Sequence, residues 1–311
     1  MTDSELTALP ILERRLHMLA ASVAAEWGIY VRFLDNGDEI AINADTEMDT
    51  MSLIKVPILV TLMRRVDRGE ASLDQKITLV DDQKRLGTGV LRHFGAGATF
   101  SLLDAAWMME IVSDNTATDI CLEAAGGVDA VNATMHELSV EGIRMTGTAL
   151  DWFRALGGSM NPQLATISPG EFARLGYPDL GPSRLADARA RYHFETGRPF
   201  SLGTPRAFGE LLSRMEAKTC ASTASCDLML EILSGQQLQN FIPRFVWGAS
   251  FAHKTGNFEP FIASDIAIAT PSRGPKVIIC LLSQRHRGAR GVIEDCLGRM
   301  AELIVLEAEG R

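Results

Sequence analysis

The chain has 311 residues, with 30 basic and 39 acidic side chains and a formal net charge of −9. This acidic balance excludes the basic surface that nucleic-acid binding requires, so no nucleic-acid partner is expected. The five cysteines are odd in number and form no CxxC pair, so the sequence predicts neither a disulfide framework nor a zinc cluster, and no metal or cofactor is expected.

The sequence also lacks the features of a membrane protein. No apolar run reaches the roughly 18 residues that a membrane-spanning helix needs, so no membrane association is expected. The N-terminal stretch MTDSELTALPILERRLHMLAAS is typical of a capped amphipathic helix rather than of a signal peptide. We therefore expect the protein to act in the cytoplasm.

The predicted elements begin with a helix at about 10–26 and a hairpin whose strands flank the turn DNGD at 35–38. The middle of the chain, from about 50 to 235, has mainly helical patterns. Three β-rich runs separated by turn residues follow from about 249, and a last helix is predicted at about 287–308.

Strands at both ends with helices between them favour an α+β fold with an antiparallel sheet and segregated helices. The predicted organisation is a discontinuous α/β subdomain, 1–42 with 235–311, and a helical subdomain at 43–234. Within the latter, residues from about 147 to 203 are rich in Gly, Pro and Ser and have weak periodicity. Such a long irregular connection is usually functional or mobile.

The stretch MSLIKVPILV at 51–60 places Ser52 three residues before Lys55. On a helix the two side chains would share one face. A lysine whose pKa is lowered can take the proton of a serine hydroxyl and make it a nucleophile. The spacing alone favours the edge of a buried helix, because a chain of this length contains about one such pair by chance.

Two further motifs follow in order. Ser113, Asp114 and Asn115 form SDN at a helix junction, and Lys254, Thr255 and Gly256 form KTG near a C-terminal strand. Each alone is typical of a helix cap or a strand end. Together with Ser52 and Lys55 they form an ordered set, separated by 61 residues (52 to 113) and 141 residues (113 to 254).

This set resembles that of the β-lactamase and penicillin-binding protein superfamily, and class A most closely. The resemblance runs over most of the chain and implies a β-lactamase/transpeptidase-like fold. It implies that Ser52 is the acylated nucleophile, Lys55 its base and Ser113 a proton relay to the leaving group. It further implies ordering of the site by Asn115 and Lys254, substrate binding by Thr255, and an oxyanion hole from the N–H groups of Ser52 and Asn257. Apart from the resemblance, Gly256 would permit close approach of a ligand to the backbone.

One departure from class A is evident. The glutamate that activates the deacylating water should lie near position 149, where this chain has Ala149. We expect the segment 147–203 to form a different wall of the site. Within it, His193 and Glu195 are auxiliary candidates for activating water, provided that they lie within reach of Ser52.

The predicted function is a serine acyl hydrolase for an ester, amide or lactam bond, acting through a covalent intermediate on Ser52. The alternative is a penicillin-binding-like protein or weak class A β-lactamase that is acylated but deacylates slowly. The expected partner is a small-molecule substrate, and the positive potential of Lys254 suits an anionic one. The sequence leaves the oligomeric state open.

Overall fold

The first and last parts of the chain meet in one five-stranded antiparallel sheet in this computed structural model, which describes residues 8–196 and 198–311. Its strands, in chain order, are β1 (Glu26–Phe33), β2 (Glu39–Ile42), β8 (Ala249–Phe258), β9 (Ile262–Pro271) and β10 (Val277–Gln284). Their order across the sheet is β2-β1-β10-β9-β8. The predicted α+β fold and the predicted N-terminal hairpin are therefore confirmed.

Terminal helices cover one face of this sheet. Helix α1 (Ala8–Ala21) packs against α11 (Arg290–Glu309), and alternate side chains of β1, β9 and β10 fill the core beneath them. Helix α1 ends five residues earlier than predicted, because β1 begins at Glu26 and pairs along its whole length with β10. The predicted cap of this helix lies in residues 1–7, outside the described residues.

The opposite face of the sheet packs on the helices of the middle of the chain, which share a second and larger core. These helices are α2 (Lys55–Asp67), α3 (Leu102–Ile111), α4 (Asn115–Ala124), α5 (Val128–Glu137), α6 (Ala149–Met160), α7 (Pro169–Leu175), α8 (Gly181–Arg191), α9 (Pro205–Glu216) and α10 (Thr223–Ser234). Helix α3 begins with a capping box, in which the Ser101 hydroxyl accepts the Asp104 N–H.

Short strands complete the middle of the chain. They are β3 (Met48–Asp49), β4 (Lys76–Thr78), β5 (Thr99–Ser101), β6 (Ile143–Met145) and β7 (Ser201–Gly203). Strands β3, β7 and β6 form one small sheet, and β4 with β5 forms another. In the described part of the chain, every helix is too short or too polar to cross a membrane.

The segment 147–203 is ordered into elements, contrary to the predicted irregular connection. It contains α6, α7 and α8, and ends in β7, which pairs with both β3 and β6. Its periodicity is weak because α8 buries only Ala188 and α7 buries only Phe172. The segment is thus anchored at both ends to the helical core.

Candidate active site

Ser52 lies in a 3₁₀ turn, Met51–Ile54, that leads directly into α2, rather than in the helix itself as the sequence indicated. Met51 adopts φ +48°, and the Asp49 carboxylate accepts its backbone N–H at 3.1 Å. In a 3₁₀ turn residues three apart are eclipsed, so Ser52 and Lys55 still lie on one side. Pro57 falls in the first turn of α2, where its missing N–H costs no hydrogen bond.

The Lys55 ammonium is fully buried and surrounded by acceptors. Its Nζ donates to the Ser113 carbonyl (2.8 Å), the Ser113 hydroxyl (2.9 Å) and the Asn115 amide oxygen (3.0 Å). These three contacts use all three N–H bonds of a charged lysine. When Lys55 is neutral, one of these positions becomes a lone pair that can accept a proton.

Ser113 connects two buried lysines. Its hydroxyl accepts from Lys55 and also from the Lys254 Nζ at 3.1 Å, while Lys254 donates to the Thr255 carbonyl at 2.9 Å. Ser113 adopts φ +56°, a conformation that is strained for a residue with a side chain and that clusters at functional sites. The hydroxyl is therefore fixed where a proton can pass between the two amines.

Burial favours the uncharged forms of both lysines. Burial, followed by repulsion from Lys254, holds the pKa of Lys55 well below its usual range. Burial also lowers the pKa of Lys254 to about 8. A neutral amine at Lys55 is therefore accessible far closer to neutral pH than in water, which is what a general base requires.

A carboxylate that belongs to none of the three motifs shares this buried region. Glu110, near the end of α3, is 1% exposed, and within the described residues neither of its carboxylate oxygens has a hydrogen-bond partner. Burial raises its pKa to about 7, against the opposing attraction of Lys254 and Lys55. The sequence contains a sign of this buried acid, since Glu110 follows an apolar stretch of α3 and lies three residues before Ser113.

The second motif is held by a loop at 86–91. The Asp114 carboxylate accepts the N–H groups of Val90 (2.6 Å) and Leu91 (2.8 Å), and caps α4 through Ala117. The Asn115 amide donates to the Leu86 carbonyl at 2.9 Å. These bonds fix the amide oxygen of Asn115 toward Lys55.

Strand β8 supplies the third motif and passes directly beside the 3₁₀ turn Met51–Ile54, here called the serine turn. A methyl group added at Gly256 would lie 2.5 Å from the Thr50 carbonyl and 3.2 Å from the Leu53 nitrogen, so only glycine allows this approach. The buried hydroxyl of Thr255 has no hydrogen-bond partner among the residues described. Asn257 follows and reaches the cavity beside Ser52.

Ser52, Asn115 and Asn257 open onto a cavity of about 300 Å³. Half of its sixteen lining residues come from the segment 147–203. Those eight residues are Ala149, Trp152, Phe153, Leu156, Tyr177, Leu185, Arg189 and Phe200. The wall opposite the nucleophile is therefore largely apolar and aromatic, and Ala149 brings no carboxylate to it.

The auxiliary candidates lie elsewhere. His193 lines a neighbouring cavity with Asp49 and Arg198, and its ring stacks on Phe261 with centroids 5.3 Å apart. Burial lowers the pKa of His193 to about 4. The Glu195 side chain is exposed. Neither residue lines the cavity that contains Ser52, so the structure brings the three motifs together without these two residues.

Comparison with known proteins assigns the family. The model of the beta-lactamase enzyme family matches residues 11–307, so the chain belongs to that family. A beta-lactamase of Bacteroides uniformis is 28% identical over 140 residues, which are 44% of this chain and 47% of that protein. The chain spans less than half the length of the curated relatives that it matches.

Solved structures agree on the fold. The beta-lactamase of Sphaerobacter thermophilus superposes with a TM-score of 0.74 at 22% identity, covering 95% of this chain and 96% of that one. PBP-A superposes with a TM-score of 0.76 at 20% identity, covering 97% of both chains. The predicted β-lactamase/transpeptidase-like fold is thereby confirmed.

Proposed function

We propose that this protein is a serine acyl hydrolase that cleaves an ester, amide or lactam bond through a covalent acyl-enzyme on Ser52. The supporting observation is the buried lysine pair: Lys55 and Lys254 both contact the Ser113 hydroxyl, at 2.9 and 3.1 Å. A buried amine without a carboxylate in hydrogen-bond contact is suited to be a base rather than a structural cation.

In acylation, neutral Lys55 takes the Ser52 proton while the Ser52 oxygen bonds to the substrate carbonyl carbon. The proposed donors to the developing oxyanion are the N–H groups of Ser52 and Asn257, and the close approach of Gly256 to Thr50 and Leu53 supports this assignment. The bond to the leaving group then breaks as Ser113 donates its proton to that group. Lys55, now charged, returns a proton to Ser113 through their hydrogen bond.

Deacylation needs a base for water, and the cavity walls offer few. Glu259 is the single carboxylate among the sixteen lining residues, and it is paired with Arg290 at 2.7 Å and with the Asn257 amide at 3.0 Å. Lys55 remains as the base for both half-reactions, with the proton path reversed. Release of the acyl group is then the slower step for acyl groups that exclude water from Lys55.

The second candidate function is an acylated binder that does not turn over. It is favoured by Ala149, which occupies the place where the resemblance to class A enzymes calls for a glutamate. One solved relative of the same fold, a point mutant of PBP-A, is described as an acyl-enzyme complex with penicillin G. Such a protein would accumulate one stable adduct per site.

Turnover of small neutral 4-nitrophenyl esters and anilides, followed together with the intact mass of the protein, separates these candidates. A hydrolase gives many product molecules per site, and Ser52→Ala lowers the rate by about a thousandfold or more. Product formation that stops at one equivalent with a persistent mass adduct supports the binder. Full activity of Ser52→Ala would reject both.

A further inference from the structure

Arg189 is a cation in the wall of the Ser52 cavity that lacks an acidic partner at hydrogen-bond distance in the described part of the chain. It lies on α8, and its guanidinium carbon sits 4.7 Å from the centre of the Phe258 ring. Leu185, one helical turn earlier on α8, lines the same cavity. The Arg189 guanidinium therefore lies on the face of α8 that would contact the substrate.

Two neutral donors lie in the same wall. The Tyr177 hydroxyl and the Trp152 indole nitrogen are both buried, and neither finds an acceptor among the residues described. Buried polar groups normally have hydrogen-bond partners, and each exception calls for an explanation. Both atoms lie below the accessible surface of the cavity, whose lining in this wall also includes Arg189.

The nearby Glu259 carboxylate forms no hydrogen bond with Arg189 in the described part of the chain. Glu259 also lines the cavity, but its carboxylate is held by Arg290 (2.7 Å) and by the Asn257 amide (3.0 Å). Its charge is thus compensated by a different arginine. Arg189 experiences Glu259 only through space and forms no ion pair with it in the described residues.

The position of Arg189 relative to the catalytic residues indicates which part of a substrate contacts it. Ser52, Asn115 and Asn257 line the cavity. Ser113, the proposed proton donor to the leaving group, and its neighbour Lys254 do not. The leaving group therefore lies on the side of Ser113, and the acyl portion extends into the aromatic cavity toward Arg189.

We infer that Arg189 binds a carboxylate at the far end of the acyl chain. The preferred substrates are then esters or amides of an apolar dicarboxylic acid, in which one carboxyl group is attacked by Ser52 and the other is free. A guanidinium suits this role because its planar fork matches a carboxylate. This inference rests on the proposed acyl hydrolase function.

The test uses two esters that differ in charge and by one methyl group: the 4-nitrophenyl monoester of adipic acid and its methyl ester. The free acid is expected to have the higher kcat/KM in the parent protein. Arg189→Gln should lower the ratio of the two values by about tenfold or more, the scale of a lost charge-assisted hydrogen bond. Arg189→Lys should retain part of the ratio, because the charge remains but the fork is lost.

Arg184→Gln is the matched control, since this arginine is exposed on the same helix and does not line the cavity. It should leave the ratio unchanged. A parent ratio at or below one, or an equal loss on both esters in Arg189→Gln, would overturn the inference while leaving the hydrolase function intact. If neither ester acylates Ser52, the proposed function fails and the inference fails with it.

Discussion

Lys55 combines the two properties of a general base, burial and a lowered pKa. Its surroundings provide three acceptors for the charged form and, within the described residues, no carboxylate at hydrogen-bond distance, so the ammonium is hydrogen-bonded without forming an ion pair. Repulsion from Lys254 adds to the effect of burial. The proton affinity of Lys55 is therefore set by a small number of named neighbours, each of which can be changed.

Lys55→Ala should slow acylation by at least about a hundredfold, because the general base is lost. Lys55→Arg should be nearly as slow, since a guanidinium keeps the positive charge but does not give up its proton. The burst rate with a 4-nitrophenyl ester measures both. A rate close to that of the parent in Lys55→Arg would show that charge, not proton transfer, is the contribution of this residue.

The acylation rate of the parent should rise with pH through an apparent pKa below the usual value for lysine, because the neutral amine is the reactive form. The negative charge of Glu110 raises the pKa values of Lys55 and Lys254. Glu110→Gln removes that charge, so the rising limb of the pH profile should move to lower pH.

Glu123→Gln, on the exposed side of α4, is the control for Glu110→Gln and should not move the rising limb of the pH profile. A shift to higher pH, or an unshifted limb with a lower plateau, would mean that Glu110 acts by packing and not by charge. The pH profile distinguishes these two roles, which a single rate measurement does not.

Among the secondary-structure elements, β8 and the 3₁₀ turn before α2 assemble the site where they pass each other. The order and spacing of the three motifs in the sequence anticipated which residues gather there. They did not anticipate the 3₁₀ geometry at Ser52, because local propensity favours continuing α2 backwards, whereas contact with β8 favours the 3₁₀ turn.

Gly256→Ala tests this contact. The added methyl would lie 2.5 Å from the Thr50 carbonyl and 3.0 Å from the Leu53 side chain, so the serine turn must move. We expect a loss of about 1–3 kcal/mol in the free energy of unfolding. We expect a loss of activity of about tenfold to a hundredfold, because displacements near 1 Å are costly in catalysis.

Gly95→Ala is a suitable comparison, since no atom lies within 4 Å of its added methyl group. Its stability should stay within about 0.5 kcal/mol of the parent. Parent-like kinetics in Gly256→Ala would show that the turn tolerates separation from β8, and the proposed oxyanion geometry would then be wrong.

The segment 147–203 was the least predictable part of the chain. Two of its three helices, α7 and α8, bury one residue each, so no apolar period marks them in the sequence. Arg189 carried no signal at all, since an arginine in ARARYH is typical of a solvated face. Its significance comes from α8 lying across the cavity, which is a property of tertiary packing.

For the molecule as a whole, the fold is shared with β-lactamases, and half of the residues that line the site come from the segment 147–203. The antiparallel sheet and the helical core were predictable, because both follow from the order of strands and helices. The chemistry of the wall was not, since eight of its residues come from the segment 147–203, whose packing over the cavity is a tertiary property.

With penicillins we expect a burst of about one equivalent followed by slow turnover, because Ala149 supplies no base for the deacylating water. The intact mass should show a trapped acyl-enzyme. Rapid multiple turnover of a chromogenic cephalosporin, with no accumulated adduct, would show that another group activates water efficiently.

The whole mechanism depends on Ser52 being the covalent nucleophile, and labelling with a serine-reactive phosphonate addresses this point without assuming a substrate. We predict one phosphonate adduct per chain in the intact mass, on the peptide that contains Ser52, and no adduct in Ser52→Ala. Ser113→Ala should still be labelled, because its proposed role is proton transfer. An adduct that persists in Ser52→Ala, or that maps to another residue of the parent protein, would contradict the mechanism.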